Sequence, residues 1–534
     1  MSDAGDAADP DQDHVNWKPR HNPWLIALTV TMVAFMEVLD TTIVNVALPH
    51  IAGAMSASQD EATWTLTSYL IANGIVLPIS GFLGRFFGRK NYFLVCIGAF
   101  TASSFLCGTS TSLGELIFFR LLQGFFGGGL QPNQQSIILD TFPPAQRSRA
   151  FAVTAMATVV APVLGPTLGG WITDNYTWRW IFFINLPIGI LTFFAVLHLV
   201  EDPPWARRGA ERPHIDFTGL GFIALGFGAL QLVLDRGEDD DWLSSPLICI
   251  CLVLAIIGLV GAVYWLLYAR HPIVNLRVLK DRNFAIGSLM IFIMALILYS
   301  SAVMIPQLTQ RQLGYTATLA GLVLSPGALV LAFLIPLVGR LVIPYVQARF
   351  VIAFGFLSLG LAFLYAHDLT PDPDFLTLTL VRLTQTVGLA FLFVPISTAA
   401  YVTLPREQNA DAAALYTMFR NLAGSIGISV ATALITTRSQ VRQAYLSDHL
   451  SALDQGYNQT LAQVEHSLIA MGVAPSSVTQ TAQAWIETTL LNQSAVLAYI
   501  DVFGYCAMLA FAAIPFALLF SAARPKGGAS AGAH

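Results

Sequence analysis

Apolar runs of roughly 18 to 25 residues recur along almost the whole chain, and each can cross a hydrocarbon layer about 30 Å thick as a helix. Nothing constrains this sequence more. Runs of that length are helices and not barrel strands, which need only about ten residues. Composition agrees: 55% of the 534 residues are hydrophobic and 11% charged, against about a quarter charged in water-soluble domains. The chain is therefore expected to be an all-α polytopic membrane protein whose main solvent is the lipid bilayer.

Apolar stretches set against charged or Pro/Gly-rich breaks place spans near 24–48, 62–83, 91–110, 113–137, 148–172 and 178–199. A pair near 216–234 and 246–268 follows, then six more near 284–306, 318–340, 347–366, 375–398, 411–436 and 496–521. That makes fourteen. The domain plan reads as a disordered tail over 1–22, a six-helix half over 23–200 and a linker with two inserted spans over 201–282. A second six-helix half covers 283–522, with a long segment at 438–495, and a tail covers 523–534.

Short cytosolic loops collect Lys and Arg. With the N-terminus inside, the inner loops hold Arg85, Arg89, Lys90, Arg147, Arg149, Arg207, Arg208, Arg212, Arg270, Arg277, Lys280, Arg282, Arg340, Arg349 and Arg406, while the outer ones keep Arg179, Arg236, Arg311, Arg438 and Arg442. Both termini are accordingly expected in the cytosol, and segment 438–495 outside. The first thirteen residues carry five aspartates and no basic residue, the opposite of a secretory signal's positive start. Cys96, Cys107, Cys249, Cys251 and Cys506 all fall in apolar runs and read as small hydrophobes, with no disulfide framework or metal site.

Spans 4 and 12 share a pattern: Arg120-Leu-Leu-Gln123-Gly, ending at Pro132, against Arg382-Leu-Thr-Gln385-Thr, ending at Pro395. Each arginine lies about seven residues, roughly 10 Å, inside the outer end of its span. Two six-helix halves related by a repeat explain the match, and alternating-access transporters are often built that way.

Four motifs then fall in order on the right spans. Span 1 reads Leu39-Asp40-Thr41-Thr42-Ile43-Val44-Asn45-Val46-Ala47-Leu48-Pro49. The loop between spans 2 and 3 reads Gly81-Phe-Leu-Gly84-Arg85-Phe-Phe-Gly88-Arg89-Lys90, span 4 carries Arg120-x-x-Gln123-Gly124, and span 5 carries Gly165-Pro166-Thr167-Leu168-Gly169-Gly170. Over nearly its whole length the chain resembles the fourteen-span EmrB/QacA-type drug:proton antiporters of the major facilitator superfamily. The resemblance implies a major facilitator fold in a cell inner membrane, and export of small hydrophobic or amphipathic compounds driven by the proton gradient. It implies no cofactor and no enzymatic step. In Gram-negative systems of this type it also implies a periplasmic adaptor protein leading to an outer-membrane channel.

The residues carry their own chemistry. Glu37 and Asp40 sit three apart on one face of span 1 and read as the only carboxylates deep in an apolar span. A charge at that depth is costly and should face water or a partner. Desolvation opposes the charged form of a carboxylate, which then takes up a proton near neutral pH; a charge that changes between two conformations can couple to the membrane potential. Asp40 is thus expected in proton coupling, with a plain interhelical contact as the other reading, and Glu37 either joins it or tunes substrate preference. Arg120 lies at Asp40's depth and is expected to pair with it; the other reading has it snorkel to the interface. Arg382, Gln385 and Arg420 are second-half candidates for coupling or for shaping a cavity.

Gly165, Pro166, Gly169 and Gly170 remove side chains from one helix stretch and weaken its ladder; tight packing or a bendable seal between the halves both fit. Gly81, Gly84, Arg85, Gly88, Arg89 and Lys90 form a tight basic turn, which the family uses as a latch. That latch normally has an acidic residue where this chain has Arg85, and Asp140 is available to Arg89. In the long outer segment, Leu461, Val464, Leu468 and Met471 keep helical spacing, so an amphipathic helix is expected there, suited to a partner.

Two other functions keep some footing: proton-coupled export of a metabolite, siderophore or lipid, and a non-transport membrane enzyme or sensor. No P-loop and no His-Glu-x-x-His is present in the sequence, which argues against ATP-driven pumping and zinc hydrolase chemistry. Nothing in the charge pattern suggests nucleic acid.

Overall fold

The computed structural model describes residues 19–203, 216–270, 272–448, 450, 455–474 and 476–521. The N-terminal tail up to residue 18, Arg207, Arg208 and Arg212 of the linker, and the tail after residue 521 lie outside the described residues.

Helices start where a polar side chain satisfies the free N–H groups of the first turn. Asn22 caps α1 (Pro23–Ala54). Ser58 and Glu61 close a capping box on α2 (Gln59–Phe87). Gly88, with φ of +84°, turns the chain directly into α3 (Arg89–Thr109), a conformation that glycine alone adopts without strain. Ser112 caps α4 (Leu113–Gly127), and α5 (Leu130–Thr141) follows after a break at Gly128 and Gly129. Next come α6 (Pro144–Asn175), α7 (Trp180–Phe183) and α8 (Asn185–Leu199).

The inserted pair is α9 (Phe217–Arg236) and α10 (Pro246–Tyr268). Asp281, Thr316 and Asp374 cap α11 (Arg282–Gln307), α12 (Ala317–Leu337) and α14 (Phe375–Ala390), with α13 (Ala348–His367) between the last two. The chain ends through α15 (Phe393–Ala400), α16 (Asn409–Ser447), α17 (Gln455–Ala470) and α18 (Val478–Ala517). No strand occurs among the described residues.

Twelve of the helical segments among the described residues are long and apolar enough to cross a membrane. Two expected spans are not in that set. One is divided at Gly128 into stretches of 15 and 12 residues, and α5 is rich in amides. The other, α6, is 32 residues long, and several of its side chains lie outside the described residues.

Helix pairing repeats. In the first half α1 packs on α6, α2 on α4 and α3 on α8; in the second, α11 packs on α16, α12 on α14 and α13 on α18. The halves meet through α2 with α16 and through α6 with α12. Even the break in α4–α5 has its counterpart between α14 and α15. The inserted pair rests on α2, with Gly228 of α9 near Ile71 and Ile75. Thr67 donates to Asp235, and the Arg236 guanidinium lies 5.4 Å from the Trp64 ring centre.

Two expectations change in the second half. Segment 438–495 is less a loop than the continuation of two helices, since α16 runs to Ser447 and α18 begins at Val478. Between them α17 carries Leu461, Val464 and Leu468 half-buried, while Met471 lies past its end and is exposed. Asp501, near the edge of an expected span, sits well inside α18 and is buried. It holds Arg442 through two hydrogen bonds of 3.0 and 2.6 Å, with Arg438 at 3.3 Å. Helix α18 starts at Val478, earlier than the expected span at 496.

The first half closes around one contact. A Cβ on Gly124 would lie 2.2 Å from the Tyr69 carbonyl oxygen, so α4 and α2 touch backbone to backbone. Gly124→Ala should lower the thermal stability of the purified protein by about 3 kcal/mol. Gly114→Ala, where a Cβ meets nothing within 4 Å, should leave the melting curve where it is or raise it slightly.

Candidate functional site

Asp40 and Arg120 meet. Both side chains are fully buried, and Arg120 Nη1 donates to Asp40 Oδ2 at 2.6 Å. Gln123 Nε2 and Asn185 Nδ2 donate to Asp40 Oδ1 at 2.9 and 2.6 Å. Arg120 also donates from Nε to the Thr65 carbonyl at 3.1 Å and from Nη1 to Gln123 Oε1 at 2.8 Å, and its guanidinium sits 4.2 Å from the Tyr69 ring centre. One carboxylate in apolar surroundings thus gathers a cation and two amides from α4 and α8, and low dielectric strengthens each bond. Asn185 was missed in the sequence, where it is one asparagine at the head of an apolar helix, but it carries the network on to Ser104 at 3.0 Å.

Glu37 shares Asp40's helix but meets other partners. It accepts from Asn73 Nδ2 at 3.1 Å, and its Oε2 is buried without a hydrogen bond. Gln131, Arg420 and Asp40 are the other polar groups around it. Arg420 reaches across from α16 to donate to Gln131. A second polar layer therefore lies between the halves, combining a carboxylate, an arginine and amides, and it is suited to recognising polar parts of a mostly apolar molecule.

The basic turn is placed residue by residue. A Cβ on Gly81 would lie 2.9 Å from the Ala410 carbonyl oxygen, and one on Gly84 would lie 3.2 Å from Asn133 Oδ1. Gly88 supplies the turn. Arg85 pairs with Asp411 at the start of α16, so the residue that departs from the resembled pattern finds its acid in the other half. Arg89 pairs with Asp140, which also accepts from Asn409 Nδ2 at 3.1 Å. Lys90 donates from Nζ to the Leu197 carbonyl at 2.7 Å. Deeper in, Gln135 donates to Tyr401 Oη at 3.1 Å and accepts from Thr417 at 3.2 Å. These contacts tie the two halves at the end of the bundle that holds the basic turn.

Of the two readings left open for the glycines of span 5, their contacts fit tight packing. A Cβ at Gly165 would collide with Thr42 of α1, and one at Gly169 would lie 3.2 Å from the Ile43 carbonyl oxygen, so they pack α6 within its own half. Contact between the halves on this helix comes earlier, where Gly339 faces Ser148 and Ala152. Of Pro166 only its place in the helix is described, and Gly170 is buried beside Gly169. The reason is registry: the glycine face of α6 points at α1. In the second half, Arg382 and Gln385 are buried against Ser301, and no carboxylate pairs with Arg382 among the described residues.

If Arg85 and Asp411 hold the basic end shut, Asp411→Asn should expose what lies behind them. Ala414, buried about one turn further along α16, would report it: Ala414→Cys should react with a maleimide several-fold faster in the Asp411→Asn background.

Residues 30–428 match the family model described as the Major Facilitator Superfamily. The chain is 36% identical over 522 residues to the multidrug export protein EmrB of Escherichia coli K12, covering 97% of this chain and 99% of that protein. It is 37% identical over 487 residues to the protein of the same name from Haemophilus influenzae, covering 91% and 93%. Among solved structures, the human organic anion transporter MFSD10 superposes with a TM-score of 0.53 at 14% identity, covering 94% of this chain and all of that one, a likeness of fold.

Proposed function

We propose that this chain, which belongs to the Major Facilitator Superfamily, is a multi-pass inner-membrane exporter of small hydrophobic or amphipathic compounds, driven by proton antiport. The observation that carries this reading is the fully buried Asp40–Arg120 pair with its two amide donors. Protonating Asp40 removes its charge and frees Arg120. A proton binding site built this way changes its internal bonding with occupancy, which alternating access requires. Glu37, Asn73, Gln131 and Arg420 form the substrate-facing layer, with Glu37 favouring cationic cargo.

The full topology we infer has fourteen spans, with α4–α5 and α6 added to the twelve among the described residues, and both termini in the cytosol. The basic end is then the cytosolic one. Its cross-half ties, Arg85 with Asp411 and Asn409 with Asp140, form the latch that opens when the site turns inward. Residues 23–200 and 283–522 act as the two moving halves, with 201–282 as an insert that travels with the first. The protein needs no cofactor beyond the gradient, and its work is transport, not bond chemistry.

In proteoliposomes, Asp40→Asn should cut drug-driven proton movement at least tenfold per folded transporter, while Asp40→Glu keeps part of it. Unchanged proton movement in Asp40→Asn removes this residue from coupling. The projection formed by the ends of α16 and α18 with α17 is the docking element for a periplasmic adaptor protein that leads to an outer-membrane channel. Replacing residues 449–476 with a short Gly/Ser linker should spare transport in vesicles and abolish drug resistance in cells; equal loss in both assays would assign that segment to folding.

A further inference from the structure

The two halves repeat their frame but not their charge. In the first half Arg120 and Gln123, one turn apart on α4, converge on Asp40 of α1. In the second, Arg382 and Gln385 have the same spacing on α14 and face α11, where the group they meet is Ser301. All three are buried: Arg382 is 3% exposed, Ser301 1% and Gln385 not at all. Arg382 Nη1 reaches Ser301 Oγ at 3.3 Å and Gln385 Oε1 at 3.4 Å, both at the long end for hydrogen bonds.

Two further donors, Arg382 Nε and Gln385 Nε2, are buried with no hydrogen-bond partner. Among the described residues no charged group acts on Arg382, and desolvation is the sole influence on it. An unpaired buried charge costs several kcal/mol. Arginine cannot shed its proton to relieve that cost. In the first half the relief is a carboxylate on the facing helix, and here the facing helix offers a neutral hydroxyl.

We propose that Arg382, Gln385 and Ser301 form an anion-binding site in the second half, taking a small monovalent anion, either chloride or a carboxylate group, where the first half carries Asp40. The ligand accepts from Arg382 Nε and Gln385 Nε2 and supplies the missing charge. Gly327 of α12 borders the site, since a Cβ there would lie 3.0 Å from Arg382 Cγ, and α12 is thereby held close over the arginine. The site is independent of which compound is exported: Asp40 and Glu37 lie on α1, and no residue of the proton pair takes part.

The test is a thermal-shift titration of the purified full-length protein with sodium chloride, sodium acetate and sodium gluconate at constant ionic strength, gluconate being the anion too bulky for the site. The expected result is a saturable rise in melting temperature with chloride, acetate or both, and none with gluconate. A response to chloride alone identifies a free inorganic ion, and one to acetate alone a carboxylate. The rise should vanish in Arg382→Gln. Should that variant fail to fold, Gln385→Leu, which removes one orphaned donor and leaves the charge, should shift the half-saturating concentration upward at least fivefold. Equal effects of all three salts, or a saturable response that survives unchanged in the variants, would overturn the assignment.

Discussion

A full negative charge and a full positive charge sit where neither touches water, and the first half is arranged around that fact. Asp40 and Arg120 are tolerable together because most of their remaining hydrogen-bonding capacity is met from neighbouring helices, Arg120 Nη2 alone staying without a hydrogen bond. Each donor or acceptor fixes a helix: Thr65 fixes α2, Gln123 orients α4 and Asn185 anchors α8. Small residues bring those helices within reach. Gly124 lets α4 lie on the backbone of α2, and Gly165 with Gly169 press α6 onto α1 just past Asp40. Remove the pair and these hydrogen bonds lose their common centre.

The same architecture in the second half tolerates a different solution, which is why symmetry is informative here. Helix pairings repeat faithfully, so the backbone frame does not depend on the ion pair in detail. Differences accumulate at positions that meet chemistry: Asp40 has Ser301 as its counterpart. A pseudo-symmetric frame can therefore carry an ion pair in one half and a lone cation in the other on the same helix pairings.

Much of this was legible in the sequence because lipid simplifies the problem. With backbone polar groups satisfied only within helices, apolar run length fixes most elements, and a charged residue in a span must have a reason. Asp40, Arg120, Arg89 with Asp140 and the span 4/span 12 repeat all emerge from that logic. Partners several hundred residues away do not. Nothing local to Arg85 points to Asp411, or to Arg420 from Gln131, because those contacts exist only once two halves are docked. Asn185 was invisible for a different reason: one amide at the head of an apolar helix has no signature until its carboxylate is located. Hydropathy also misled at the C-terminus, where the extended ends of α16 and α18 are polar enough to read as a loop. The glycines of span 5 show a further limit, since a small-residue face is easy to see while the helix it faces is not.

Helix α16 has one consequence of its own. It is a single helix of 39 residues, about 58 Å at 1.5 Å per residue, with Asp411 tied to Arg85 at one end and Arg442 tied to Asp501 near the other. A helix gripped at both ends behaves as a lever. Tilting it by about ten degrees around a point near Arg85 would carry its far end about 10 Å sideways, given that length. The projection and the Arg85 contact therefore belong to one helix. Displacement at one end and displacement at the other become two readings of a single angle.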